Sequence, residues 1–253
     1  MLLLIDAGNT RIKWAVVGDA QGDWLASGTL LHAGLDQLAG QLRGHQLTQA
    51  LISNVAGAAV AVPLAQQLAA CGLSSTALQW FQSTPACAGV RNGYRQPQQL
   101  GSDRFASLIG ARHLFPQEPL LVVTCGTATT IDALEADGNF IGGMILPGLA
   151  TMAQSLAVNT AQLPEAIPAA ANHTARLFAD NTQDAIISGC ISAQAGAITR
   201  ALKAHASARC IISGGAAAYV APHVSSPCEQ VDNLVLIGLA ASLNFNAQEH
   251  KPG

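Results

Sequence analysis

Leu120 to Leu134, LLVVTCGTATTIDAL, decides the reading of this chain, because it repeats the plan of an earlier stretch, Leu2 to Val17, LLLIDAGNTRIKWAVV. In each, an apolar β-prone run stops at a short glycine-centred turn and a second β-prone run follows at once, the pattern of a β-hairpin with polar groups at its tip. When the two are superposed, Thr124 falls on Asp6, Gly126 on Gly8 and Thr127 on Asn9, an offset of 118 positions in a chain of 253. A turn and a third strand follow in both copies, Gly18 to Asp23 then Trp24 to Leu31, and Glu135 to Asn139 then Phe140 to Ile145. A pattern repeated at about half the chain length predicts two similar α/β domains, 1–116 and 117–253, facing each other across a cleft.

The turn residues point to a nucleotide phosphate site. Gly8 lets backbone approach a ligand, Asn9 and Thr10 add donors, Lys13 adds positive charge, and Asp6 is suited to hold a hydrated Mg²⁺. Asp, Gly and Asn are also what ordinary hairpin turns select, so the first turn alone does not decide between the two readings. Its repetition favours phosphate, since paired turns can direct N–H groups and hydroxyls at ATP from two sides.

Composition narrows the class. Hydrophobic residues make up 50% and charged residues 11%, with mean hydropathy +0.31, which predicts much hidden surface and a soluble oligomer. A net charge of −3 with no Lys/Arg cluster argues against nucleic acid as a partner. The first apolar run ends at Asp6, too short for a signal peptide or membrane span, so a cytoplasmic protein with no membrane partner is expected. The six cysteines, Cys71, Cys87, Cys125, Cys190, Cys210 and Cys228, are scattered with no C-x-x-C pair, which suits buried thiols in a reducing compartment rather than a disulfide framework or zinc site.

Between the hairpins, helices are expected over Leu35 to Leu42 and from Pro63 to Cys71, strands at Ala50 to Ser53 and Leu78 to Phe81, and a loop over Asn54 to Val62. Asn92 to Phe105, NGYRQPQQLGSDRF, is rich in turn formers and leads into a helix ending at His113. Asp103 and Arg104 are adjacent charges at its mouth. Ser102 or Asp103 could cap this helix; equally, Asp103 could take a proton from a substrate hydroxyl while Arg104 grips a carboxylate or phosphate. Further on, Leu149 to Leu156, Thr182 to Ala204 and Asn233 to Ala247 read as helices, Ala157 to Asn181 as a mobile or dimer-contacting segment, and Cys210 to Ser213 as a strand ending at a glycine pair.

Together these stretches resemble a known family, the type III pantothenate kinases, of the superfamily that includes acetate kinase, sugar kinases, heat-shock ATPases and actin. The resemblance is carried by DAGNTRIK at Asp6 to Lys13, Tyr94 with GSDR at Gly101 to Arg104, GTATTID at Gly126 to Asp132, Gly142 to Gly148, Asn181-Thr182, Ser213 to Gly215, and Gly238 in the final helix. It implies two duplicated ribonuclease H-like domains with mixed sheets flanked by helices. It also implies a homodimer that phosphorylates pantothenate from ATP in the first step of coenzyme A synthesis.

In that picture Asp103 accepts the proton, and Tyr94, Gly101, Ser102, Asp103 and Arg104 line the pantothenate site, with Thr182 reaching it from the partner subunit. Asp6, Ala7, Gly8, Asn9, Thr10, Arg11, Ile12, Lys13 and Thr127 hold the ATP phosphates, and Asp6 anchors Mg²⁺. One departure stands out: relatives carry Asp, which helps bind K⁺ or NH₄⁺, where this chain has Thr124, so the monovalent cation is in doubt. The competing expectations are another small-molecule kinase of the superfamily, or a non-catalytic regulator like the Bvg accessory factors.

Overall fold

The computed structural model describes residues 1–18, 24–166 and 176–249. The chain forms two compact units: Met1–Pro116 with Gly138–Phe140 and the residues from Asn233 onward, and Gln117–Asp137 with Ile141–Asp232. The expected second domain, 117–253, therefore differs in its last helix, which groups with the first unit.

The first unit opens with strands β1 (Leu2–Ala7), β2 (Arg11–Val17) and β3 (Trp24–Leu31). A 3₁₀ segment, His32–Gln37, and a single α-helical turn, α1 (Leu38–Gln41), replace the helix expected over Leu35 to Leu42. Then come β4 (Gln49–Asn54), α2 (Ala58–Ala70), β5 (Leu78–Trp80), β6 (Ala86–Cys87), β7 (Val90–Asn92) and α3 (Ser102–Leu114). Helix α2 starts five residues before Pro63, so this proline sits inside the helix and the loop expected to reach Val62 is shorter. Gly57, at φ +76, supplies the left-handed entry that lets it begin early.

The sheet order is β3-β2-β1-β4-β5, antiparallel where hairpins join β1, β2 and β3 and parallel where β4 and β5 return after crossovers. One face packs Ile5, Ile12, Trp14 and Ile52 against Leu38, Leu64 and Leu68. The other packs Leu4, Ala15 and Leu51 against Ala106 of α3 and Leu236 and Leu239 of the final helix. These alternating faces follow from the period of two along each strand.

The second unit contributes β8 (Leu120–Cys125), β9 (Ala128–Leu134), β10 (Asn139–Pro147), α4 (Leu149–Asn159), α5 (Thr182–Ala204), β11 (Arg209–Ser213), α6 (Ala217–Val220) and β12 (Cys228–Gln230). Its strand order, β10-β9-β8-β11-β12, matches the first unit position for position, with β8 and β9 antiparallel and β11 parallel to β8. The opening residues of β10, Asn139 and Phe140, pair with β7 and count with the first unit.

Helix α5 is long and apolar enough to cross a membrane by length and composition alone. Instead it buries Ile191, Ala195, Ile198 and Leu202 in the second unit, and its Gln194 side chain is fully enclosed, accepting from Thr129 Oγ1 at 3.0 Å and donating to the Pro147 carbonyl at 3.2 Å. A buried amide with both ends occupied fixes the helix against β9 at little net cost.

The final helix, α7 (Leu234–Glu249), joins the first unit because glycines let it touch α3 backbone to backbone. A Cβ on Gly238 would collide with the Ala106 carbonyl, and one on Gly110 would lie 2.5 Å from the Leu234 carbonyl. No side chain larger than hydrogen fits this crossing. The segment expected to be mobile or dimer-contacting, Ala157 to Asn181, begins in α4 and runs partly outside the described residues, as do the turn after Gly18 and the tail beyond Glu249.

Candidate active site

The first unit gathers most of the residues singled out in its sequence. Asp6 is the penultimate residue of β1, flanked across the sheet by Lys13 of β2 and Ser53 of β4. The turn beyond it is closed by Gly8 N–H donating to the Arg11 carbonyl at 3.1 Å, which leaves Asn9 and Thr10 exposed at the tip. Ala7 and Ile12 are buried below the tip, so they shape the turn through backbone alone, whereas Arg11 is exposed.

Two residues that sequence reasoning missed brace this arrangement. His32, where β3 ends, places Nε2 2.8 Å from the Gly8 carbonyl, a contact made with the ring N–H donating. Ser53, fully buried beside Asp6, shares a 2.8 Å hydrogen bond with Ser102 at the start of α3. They act over 24 and 49 positions of chain, so only the strand pairing could have revealed them.

Gly101, at φ −56, is the N-cap of α3, and no side chain caps the helix. Ser102 is therefore turned to Ser53 rather than to capping, and Asp103 folds back so that Oδ1 accepts the Arg104 N–H at 2.8 Å. A Cβ on Gly101 would lie 2.6 Å from that same oxygen, so the absence of a side chain there is what gives the Asp103 carboxylate its place.

Arg104 is 6% exposed and donates from Nη1 to the Tyr94 hydroxyl at 2.9 Å, with its guanidinium 5.6 Å from the ring centroid. Tyr94 is in turn stacked on Phe140 at 5.4 Å. An aromatic ring and a planar cation held this way make a rigid floor with directional donors, suited to a polar acceptor molecule.

Burial sets the electrostatics of the two carboxylates. Desolvation first, and then the nearby Asp103 carboxylate, push the Asp6 pKa up to about 7, with Lys13 only partly offsetting them. Asp103 is also raised above the ordinary carboxylate value by desolvation, restrained by the backbone N–H and guanidinium of Arg104. A desolvated carboxylate with a second one nearby fits a bound cation, which would favour its ionised form. The residues thus suit Mg²⁺ at Asp6, and the raised Asp103 is a better proton acceptor than an ordinary aspartate.

In the second unit the counterpart turn is closed by Gly126 N–H donating to the Ala128 carbonyl at 3.0 Å. Thr127 is exposed, and its carbonyl accepts from Gly148 N–H and Thr151 Oγ1, both at 2.9 Å. Thr124 faces Thr130 across the ladder, and Thr130 Oγ1 is buried with no hydrogen-bond partner. These oxygens are neutral, and among the described residues no group of three or more His, Cys, Asp or Glu could hold a metal. Thr182, exposed, is the first residue of α5; Asn181 is its N-cap, accepting from Asp184 N–H at 3.0 Å.

Comparison with known proteins agrees with this picture. The sequence model of the type III pantothenate kinase family matches residues 2–204. A type III pantothenate kinase from Herminiimonas arsenicoxydans is 55% identical over 251 residues, covering 94% of this chain and 96% of its own. Among solved structures, a Campylobacter jejuni protein described as a Baf family transcriptional activator superposes with TM-score 0.64 at 20% identity, over 97% of this chain and 99% of its own. A Sinorhizobium meliloti protein described as a 2-dehydro-3-deoxygalactonokinase does so with TM-score 0.60 at 15% identity, over 99% of this chain and all of its own. The fold is that of the actin-like ATPases and sugar kinases, two ribonuclease H-like domains of matching strand order.

Proposed function

The chain belongs to the type III pantothenate kinase family, and from that premise we propose that it transfers the γ-phosphoryl group of ATP to the primary hydroxyl of pantothenate, the entry step of coenzyme A synthesis. The observation that carries this reading is the placement, in one unit, of Asp6 beside the glycine turn and Asp103 at the mouth of α3, with their neighbours Ser53 and Ser102 joined by a 2.8 Å hydrogen bond.

A primary alcohol is a poor nucleophile. Asp103 accepts its proton as the phosphoryl group moves through a loose transition state, so the oxygen attacks without a free alkoxide forming. Gly101, Ser102, Arg104 and Tyr94 hold the acceptor in place, and Thr182 is proposed to contribute from a partner subunit. Backbone N–H groups and side chains of residues 6–13 bind the phosphates. Mg²⁺ held at Asp6 supplies neutralisation of phosphate charge.

Activity is proposed to be independent of K⁺ and NH₄⁺, since Thr124 offers oxygen without charge. A homodimer is supported by apolar side chains left on the surface of the second unit, among them Ile141 at 53%, Ile145 at 64% and Val158 at 74% exposed. A cytoplasmic location follows from the chemistry, since ATP is the donor.

The test is an assay of purified protein with ATP, Mg²⁺ and pantothenate. Mg²⁺-dependent formation of 4′-phosphopantothenate with equimolar ADP is expected. Absence of turnover would reject the assignment and favour the regulatory reading.

A further inference from the structure

Two of the free thiols lie side by side. Cys210 of β11 and Cys228 of β12 are direct partners across a parallel ladder, and their sulfurs lie 3.1 Å apart. Cys210 is 3% exposed, whereas Cys228 is half-buried on a strand of three residues, and both border a pocket of about 400 Å³ lined also by Arg209, Ser226, Pro227 and Glu229. Cys125, fully buried on β8, lies within electrostatic reach of both. None of these groups belongs to the phosphoryl-transfer machinery.

We propose that Cys228 and Cys210 form a redox-responsive dithiol, in which Cys228 reacts with a hydroperoxide that enters through this pocket and Cys210 resolves the product to an intramolecular disulfide. The Cys228 thiolate attacks the terminal peroxide oxygen, the O–O bond breaks, and the leaving alkoxide or hydroxide takes a proton to give alcohol or water. Cys228 is then a sulfenic acid. The Cys210 sulfur attacks the Cys228 sulfur, the S–O bond breaks, and hydroxide leaves with the Cys210 proton as a second water. Two thiols are oxidised and one peroxide is reduced.

The environment divides these roles. The hydrogen bond that the two sulfurs share lowers the Cys228 pKa and raises that of Cys210, which desolvation raises further. The half-buried sulfur is thus the more acidic of the two and the enclosed one holds its proton more tightly, the order that attack and resolution require. Parallel neighbours have Cα atoms spaced within the range a disulfide spans, so closure needs side-chain rotation rather than strand movement. The bond would tie β11, the strand running to the Ser213-Gly214 turn, to the sheet edge.

Treating the purified full chain with one to two equivalents of hydrogen peroxide, then blocking free thiols and mapping peptides without reduction, tests this. The expected result is a Cys210–Cys228 linked peptide while Cys71, Cys87, Cys125 and Cys190 are still alkylated, with dithiothreitol restoring all six thiols. Thermal unfolding of the oxidised protein should rise by several degrees and return on reduction. In Cys210→Ser, Cys228 should stop at a sulfenic acid that dimedone traps; in Cys228→Ser, Cys210 should stay reduced. Recovery of wild-type Cys228 as sulfinic acid without linkage, or prior oxidation of Cys71 or Cys87, would overturn the proposal.

Discussion

The two hairpins that open the units share a strand order but differ at their tips. In the first, Asp6 pairs with Lys13 and two residues, Asn9 and Thr10, lie between the glycine and the next strand; in the second, Thr124 pairs with Thr130 and only Thr127 lies between. One copy carries opposed charges under a wider tip, and the other carries two neutral hydroxyls under a tighter one. Duplication preserved the architecture of strands and parallel returns, while charge was concentrated in one copy. The first tip offers a carboxylate and an ammonium group, and the second offers hydroxyls.

The largest effect that would break this contrast is expected at Asp103. Asp103→Asn should lower turnover about 10²–10⁴-fold in a protein that unfolds no earlier than wild type, and an unchanged rate would remove it as the proton acceptor. Making the first tip resemble the second, Asp6→Thr, should cost about 10²–10³ in turnover and shift the Mg²⁺ requirement upward in a metal titration.

Gly101→Ala displaces the Asp103 carboxylate without removing it, and a misplacement on the order of 1 Å predicts a loss approaching 10² in turnover with little change in acceptor binding by calorimetry. The smallest effect belongs to the second tip: exchanging K⁺ for a bulky organic cation should change the wild-type rate less than about twofold. Thr124→Asp, which adds a charge at that site, should create a K⁺ response in the same assay.

Much of this contrast was legible in the residues. Apolar runs bracketed by turn formers marked β1, β2, β8 and β9, and the limits expected for β3 and α5 coincide with those observed. The repeat of strand, glycine turn and strand foretold matching sheets. What escaped depends on contacts distant in sequence. Strands β6, β7 and β12 are two or three residues long, too short for any periodicity, and exist through their ladders.

Pro63 read as a helix start, yet Gly57 opened the helix earlier. His32 and Ser53 look ordinary in sequence and matter because strand pairing sets them beside Gly8 and Ser102. The grouping of α7 with the first unit rests on two glycines, Gly110 and Gly238, each unremarkable alone. Cysteine spacing predicted free thiols, as all six are, but a strand too short to foresee set two of them side by side.

The central claim is that Asp6 is a desolvated carboxylate near Asp103 and suited to Mg²⁺, and the pH dependence of stability in metal-free protein tests it most directly. A carboxyl raised from 3.8 to about 7 stays protonated in the folded state while the unfolded chain ionises, so its contribution is fully present below 3.8 and is lost as pH climbs to about 7. At about 1.4 kcal/mol per pKa unit the loss is on the order of 4 kcal/mol. With EDTA present, Asp6→Asn should unfold at the same temperature as wild type near pH 4 and well above it at pH 8. Equal stability at pH 8, or a less stable variant there, would contradict the account.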